Sequence, residues 1–188
     1  KEALDCLSYR FYLGEGGVIM KKDIAYQSHS DDLEFYYHDE NFCRLVKSGC
    51  WDDIKHEIIK FFQQLTELRL DINNTKSYVI QLFNSMIRLC GPKEMNMYLT
   101  KLSILLEMDT IQNMKALFES VAYSITISFY EQNKNKHSAI INKVVEIINL
   151  HIGNQNLSLN WVANEMLYMN PDYLGKLFKK ETGEKFSN

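Results

Sequence analysis

Proline is nearly missing from this chain: Pro92 and Pro171 are the only two in 188 residues. Proline removes an amide donor and breaks helices, so its scarcity leaves long stretches free to stay helical. Glycine is also sparse, with eight residues, three of them bunched at Gly14, Gly16 and Gly17. The four cysteines (Cys6, Cys43, Cys50 and Cys90) lack the rhythm of a small disulfide scaffold. They read as reduced, mostly buried thiols of a cytoplasmic protein. His38, Cys43, Cys50 and His56 lie close in sequence but without the paired short spacings of a tetrahedral zinc site, so no metal is expected. No apolar run approaches the roughly 20 residues that a membrane-crossing helix needs, which excludes a spanning role. No signal peptide is recognisable either. The chain opens at Lys1 without a methionine, inside sequence that already looks structured, and reads as a fragment.

A catalytic constellation is also lacking. The run Gly14–Gly17 has no following Lys-Ser/Thr, so it is not a phosphate-cradling loop. The paired acids Asp31-Asp32 and Asp52-Asp53 stand at expected helix starts, where they favour the positive end of the helix dipole. The histidines at 29, 38, 56, 137 and 151 have no nucleophile pattern beside them. Neither an enzyme nor a cofactor is expected.

What the chain does have is helical periodicity. Apolar residues make up 46% and aromatics 12%, enough for a packed core. Residues 2–13 read as a helix that the glycines end, and residues 18–26 as a possible short strand. Two helices follow, separated at Ser48-Gly49, the second striped by Ile54, Ile58, Phe61, Leu65 and Leu68. Its doubled apolar pairs, Ile58-Ile59 and Phe61-Phe62, suggest a second face offered to a partner copy. Asn74 or Thr75 is placed to cap a helix striped by Tyr78, Leu82, Met86 and Leu89, closed by Gly91-Pro92. A helix over 94–108 comes next. Asp109 is placed to cap another, with Met114, Leu117, Val121, Ile125 and Phe129 inward. The polar run at 131–137 reads as a junction.

Beyond that junction, Ser138 is placed to cap a helix burying Ile140, Ile141, Val144, Ile147 and Ile148. A short helix then runs from Leu159 to about Leu167. Asn170 and Pro171 open a last one, since Asn accepts from a free amide and Pro suits the first helical position. Two short helices joined this tightly are the arrangement that sets a second helix in the DNA major groove. Ala163 is small where such helices cross, and Val162, Met166, Leu174, Leu177 and Phe178 supply apolar contacts. Residues 134–188 carry seven lysines against five acids, whereas residues 1–133 carry 14 basic and 19 acidic side chains. A mildly basic end behind an acidic body fits polyanion binding.

These residues carry a resemblance. The stretch SLNWVANEMLYMNPDYLGKLFKKETGEKFSN, with Ala163 in its first helix and the Tyr173–Gly183 block, resembles the first helix-turn-helix of the AraC/XylS family of bacterial transcription regulators. The part before it is similar, less specifically, to the region that follows the receiver domain in YesN-like response regulators. The resemblance implies an all-α fold with three parts: a linker region over 1–29, a helical signal-coupling or dimerisation domain over 30–135, and a three-helix helix-turn-helix subdomain over 136–188. It further implies a second helix-turn-helix beyond Asn188 and a receiver before Lys1, which a sensor histidine kinase would phosphorylate. The expected partners are operator DNA and a second copy of the chain, in the cytoplasm and without a membrane. Family roles fall on Asp172, Tyr173, Gly175 and Lys176 as the outward, base-side positions, and on Lys179 and Lys180 as phosphate contacts. An alternative is a one-component regulator whose helical domain binds a small molecule, with Tyr78 and Tyr98 as candidate pocket walls.

Overall fold

The computed structural model describes residues 10–14 and 35–187. The expected strand over 18–26 lies outside the described residues. Among them the chain is helical, without a strand: an all-α fold. The chain divides into two compact units, Lys1–Tyr130 and Glu131–Asn188.

In the first unit, α1 (Asp39–Ser48) and α2 (Trp51–Leu68) meet at Gly49, whose φ of 77° closes α1 in the left-handed conformation. Glycine is needed there twice over. A β-carbon would lie only 2.7 Å from the backbone of Tyr130. Helix α3 (Ile72–Ile87) is capped by Asp71, whose carboxylate accepts from the Asn73 amide at 2.8 Å. Thr75, one of the two residues expected to cap it, is instead buried one turn inside the helix. Its hydroxyl pairs with Tyr12 Oη at 2.6 Å, a partner 63 residues away that local sequence could not reveal. Helix α4 (Pro92–Glu107) starts with Pro92 in its first turn, and α5 spans Ile111–His151. Thr110 rather than Asp109 caps α5, its Oγ1 accepting from Asn113 N at 3.2 Å.

The core gathers on Phe118 of α5, whose ring meets those of Phe42, Phe62 and Phe83 at 5.9, 5.7 and 5.9 Å between centroids. Mostly edge-on contacts of this kind add to the area term, about 0.5–1.5 kcal/mol per pair. Ile54, Ile58, Phe61 and Leu65 are buried as the periodicity predicts. Ile58, Phe61 and Phe62 all point inward and only Ile59 is exposed, so α2 offers no second apolar face. On α3 the buried stripe is wider than expected, adding Val79, Phe83 and Ile87 to Leu82 and Met86, while Tyr78 and Leu89 are half-buried. Segment 10–14 joins this core through Phe11 and Tyr12. Tyr12 Oη donates to Leu70 O at 2.7 Å, and its own carbonyl accepts from Gln112 Nε2 at 2.7 Å.

The polar run at 131–137 begins where the two units divide, and it is helical, because α5 continues through it. Ser138 is therefore in mid-helix and caps nothing. Lysine, glutamate and glutamine are good helix formers, and polarity without glycine or proline does not stop a helix. Of the cysteines described, Cys43 and Cys90 are half-buried and Cys50 is exposed, against the expectation of mostly buried thiols. All three are free. No helix among the described residues is long and apolar enough to cross a membrane, and no three His, Cys, Asp or Glu side chains gather where a metal could sit.

Candidate nucleic-acid interface

The second unit is built on the C-terminal part of α5, on α6 (Leu159–Trp161) with the π-helical segment Val162–Leu167 that continues it, and on α7 (Pro171–Thr182). Ser158 caps α6, its Oγ accepting from Trp161 N at 3.2 Å. Asn170 caps α7 in the same way, accepting from Tyr173 N at 3.1 Å, with Pro171 at the first helical position. Three residues join the helices. Tyr168 takes the left-handed conformation, φ 52° and ψ 47°, and both its amide and that of Met169 donate to Ala163 O. This one carbonyl thus closes the first helix and turns the chain toward the second.

Val144, Val162, Ala163 and Leu174 form the buried centre, with Phe178 and Phe186 packed against it at 5.4 Å between rings. Ala163 is fully buried, as its size predicted. Leu177 is buried too, whereas Met166, expected inside, is exposed. Met166 falls in the π-helical segment, whose i→i+5 bonding shifts side chains from the α-helical register used for that expectation. His137 Nδ1 and Glu181 Oε1 stand 3.7 Å apart, between α5 and α7.

With Leu174 and Leu177 inward, Asp172, Tyr173, Lys176, Lys179 and Lys180 are exposed on α7. Gly175 departs from that group. It is half-buried, and a β-carbon there would lie 3.0 Å from Leu159 Cδ2. It stands at a close helix approach and still lines the groove described next. Asp172, Gly175, Lys176 and Lys179 line one groove of about 790 Å³, together with Ile148, Leu157 and Leu159. Tyr173 and Lys180 are not part of it. Lys185, which the sequence reading passed over, joins the same rim. Its signal was a single lysine two residues past Gly183, whose φ of 81° ends α7. Asp172 lies in the first turn of α7 and Lys179 and Lys180 in the last, each on the side the helix dipole favours.

No protein-family model matches the chain, and no solved structure is significantly similar to it. One stretch of 50 residues, 27% of the chain, is 66% identical to a protein of Bacillus subtilis (strain 168) described as the uncharacterized transcriptional regulatory protein YesN. The stretch spans 14% of that relative's length.

Proposed function

We propose that this chain is part of a transcription regulator that binds double-stranded DNA with α7 in the major groove. The observation that carries the reading is the 66% identity over 50 residues to a protein described as a transcriptional regulatory protein. The exposed cationic side of α7, offered by a capped helix pair with its own apolar centre, is consistent with it. In this reading the unit is an AraC-type helix-turn-helix. Lys176 donates to a base edge, and Lys179, Lys180 and Lys185 contact phosphates. Asp172 serves the helix N-terminus, and Tyr173 borders the groove. Gly175 lets α6 and α7 approach and reads nothing. The whole protein is a cytoplasmic response regulator acting as a homodimer, with a receiver that a sensor histidine kinase phosphorylates.

The test is a binding-site selection with the full-length protein. Lys176→Ala should relax preference at one operator position, a loss of about 1–3 kcal/mol in discrimination. Lys180→Ala should weaken all sequences alike and flatten the salt dependence. If Lys176→Ala keeps the wild-type preference at uniformly lower affinity, Lys176 is a phosphate anchor. If neither variant changes DNA binding, α7 is not the reading helix.

A further inference from the structure

In the first unit a hollow of about 400 Å³ opens beside the start of α1. Its walls are aromatic. Phe35 and Tyr37 lie parallel, 6.2 Å apart and 3° from coplanar in orientation, Phe35 meets Tyr78 edge-on at 4.9 Å, and Tyr37 meets Phe61 at 4.8 Å. Phe35 and Phe61 are buried, whereas Tyr37 and Tyr78 are half-buried, and all four line the hollow.

The charges at the opening have one sign. Asp39 and Glu40 line the hollow beside His38 and Gln81, and among the described residues no lysine or arginine lines it. Ser85 donates to Asp39 Oδ2 at 2.5 Å, which fixes that carboxylate in place. Glu57 adds a third carboxylate next to Tyr37; burial first, and then Glu57, push the Tyr37 hydroxyl far above its ordinary value. Both acids on α1 also favour its positive end. That alone would not distinguish them from any helix start. The aromatic hollow does, because ring faces and carboxylates attract the same class of ligand: a cation too large and too apolar to be satisfied by water.

We infer that this hollow is a binding site for a small organic cation of the quaternary-ammonium or alkylamine class, held by the faces of Tyr37 and Tyr78 and by the carboxylates of Asp39 and Glu40. The inference does not rest on the DNA reading of the second unit, and its test reads binding directly. Choline is the probe, set against its uncharged carbon isostere, in which tert-butyl replaces trimethylammonium. Tyrosine ring signals followed by NMR in the whole chain should shift saturably with choline at one site. The isostere should bind about tenfold more weakly, since it lacks the attraction to ring faces and carboxylates. Glu40→Gln, at an exposed position the fold does not need, should weaken choline severalfold and leave the isostere unchanged. Tyr78→Leu should weaken both, checked by an unchanged circular dichroism spectrum. Equal affinity of choline and isostere would reduce the hollow to an apolar dent and overturn the inference. So would a failure of choline to saturate any signal, or unaltered choline binding in Glu40→Gln.

Discussion

Gly49 and Tyr130 touch backbone to backbone: a β-carbon on Gly49 would stand 2.7 Å from Tyr130 Cα and 2.8 Å from its nitrogen. Residues 81 positions apart are thereby brought together at the α1–α2 corner, and neither partner can yield, because both are main chain. Left-handed φ adds a second penalty for any other residue. Gly49→Ala should therefore cost about 2–4 kcal/mol, combining backbone strain with overpacking. Urea unfolding should show a lowered midpoint at constant slope. Gly153→Ala, where an added methyl meets nothing within 4 Å, should change stability by less than about 0.5 kcal/mol. Similar effects at the two sites would mean that the corner is looser than described.

Tyr168 bears the opposite kind of strain. Its φ of 52° is unfavourable for a side-chain-bearing residue, and at 86% exposure the ring gains little from packing. Tyr168→Gly should stabilise the second unit by up to about 1 kcal/mol. Tyr168→Ala keeps the strain and should not. Thermal melts of the two variants separate the effects, and equal melting temperatures would show that the turn conformation is not strained.

The cysteines should differ in reactivity. Burial and, after it, the neighbouring Glu94 push the Cys90 thiol from 9.0 up to about 11. Burial and then Asp39 push Cys43 up as well. A raised value keeps the thiol protonated as pH rises, so at any pH below 9 Cys90 holds about a hundredfold less thiolate than an ordinary thiol. Of the three described cysteines, exposed Cys50 should be alkylated by iodoacetamide first and Cys90 last. Peptide mass spectrometry over a time course checks the order, and labelling of Cys90 ahead of Cys50 would contradict it.

Much of the architecture was legible where its causes are local. Asn170 and Pro171 start α7, and Ser48-Gly49 separates two helices, because caps and left-handed turns depend on a few adjacent residues. Thr75 was misread because its hydroxyl serves Tyr12, and Asp109 because Thr110 beside it has the better reach. The polar run at 131–137 does start where the two units divide, but the helix break expected with it is absent, because backbone propensity there favours a helix. At the candidate interface, the exposure of Lys176 and Lys179 follows from the burial of Leu174 and Leu177, which periodicity displays. The contact between Gly175 and Leu159 depends on how two helices cross, and nothing within either helix reports that distance.

The π-helical segment Val162–Leu167 bears on lineage as well as on geometry. A π turn holds one residue more than an α turn over the same rise, the surplus that a single-codon insertion into an ordinary helix leaves behind. Ser158, which caps α6, and Asn170, which caps α7, lie outside the surplus. A shorter chain could therefore wind the same interval as plain α-helix and still deliver Pro171 to the start of α7. Comparing lengths between Ser158 and Asn170 among descendants of one ancestor would thus count insertions, while the helix that follows keeps its own numbering of faces.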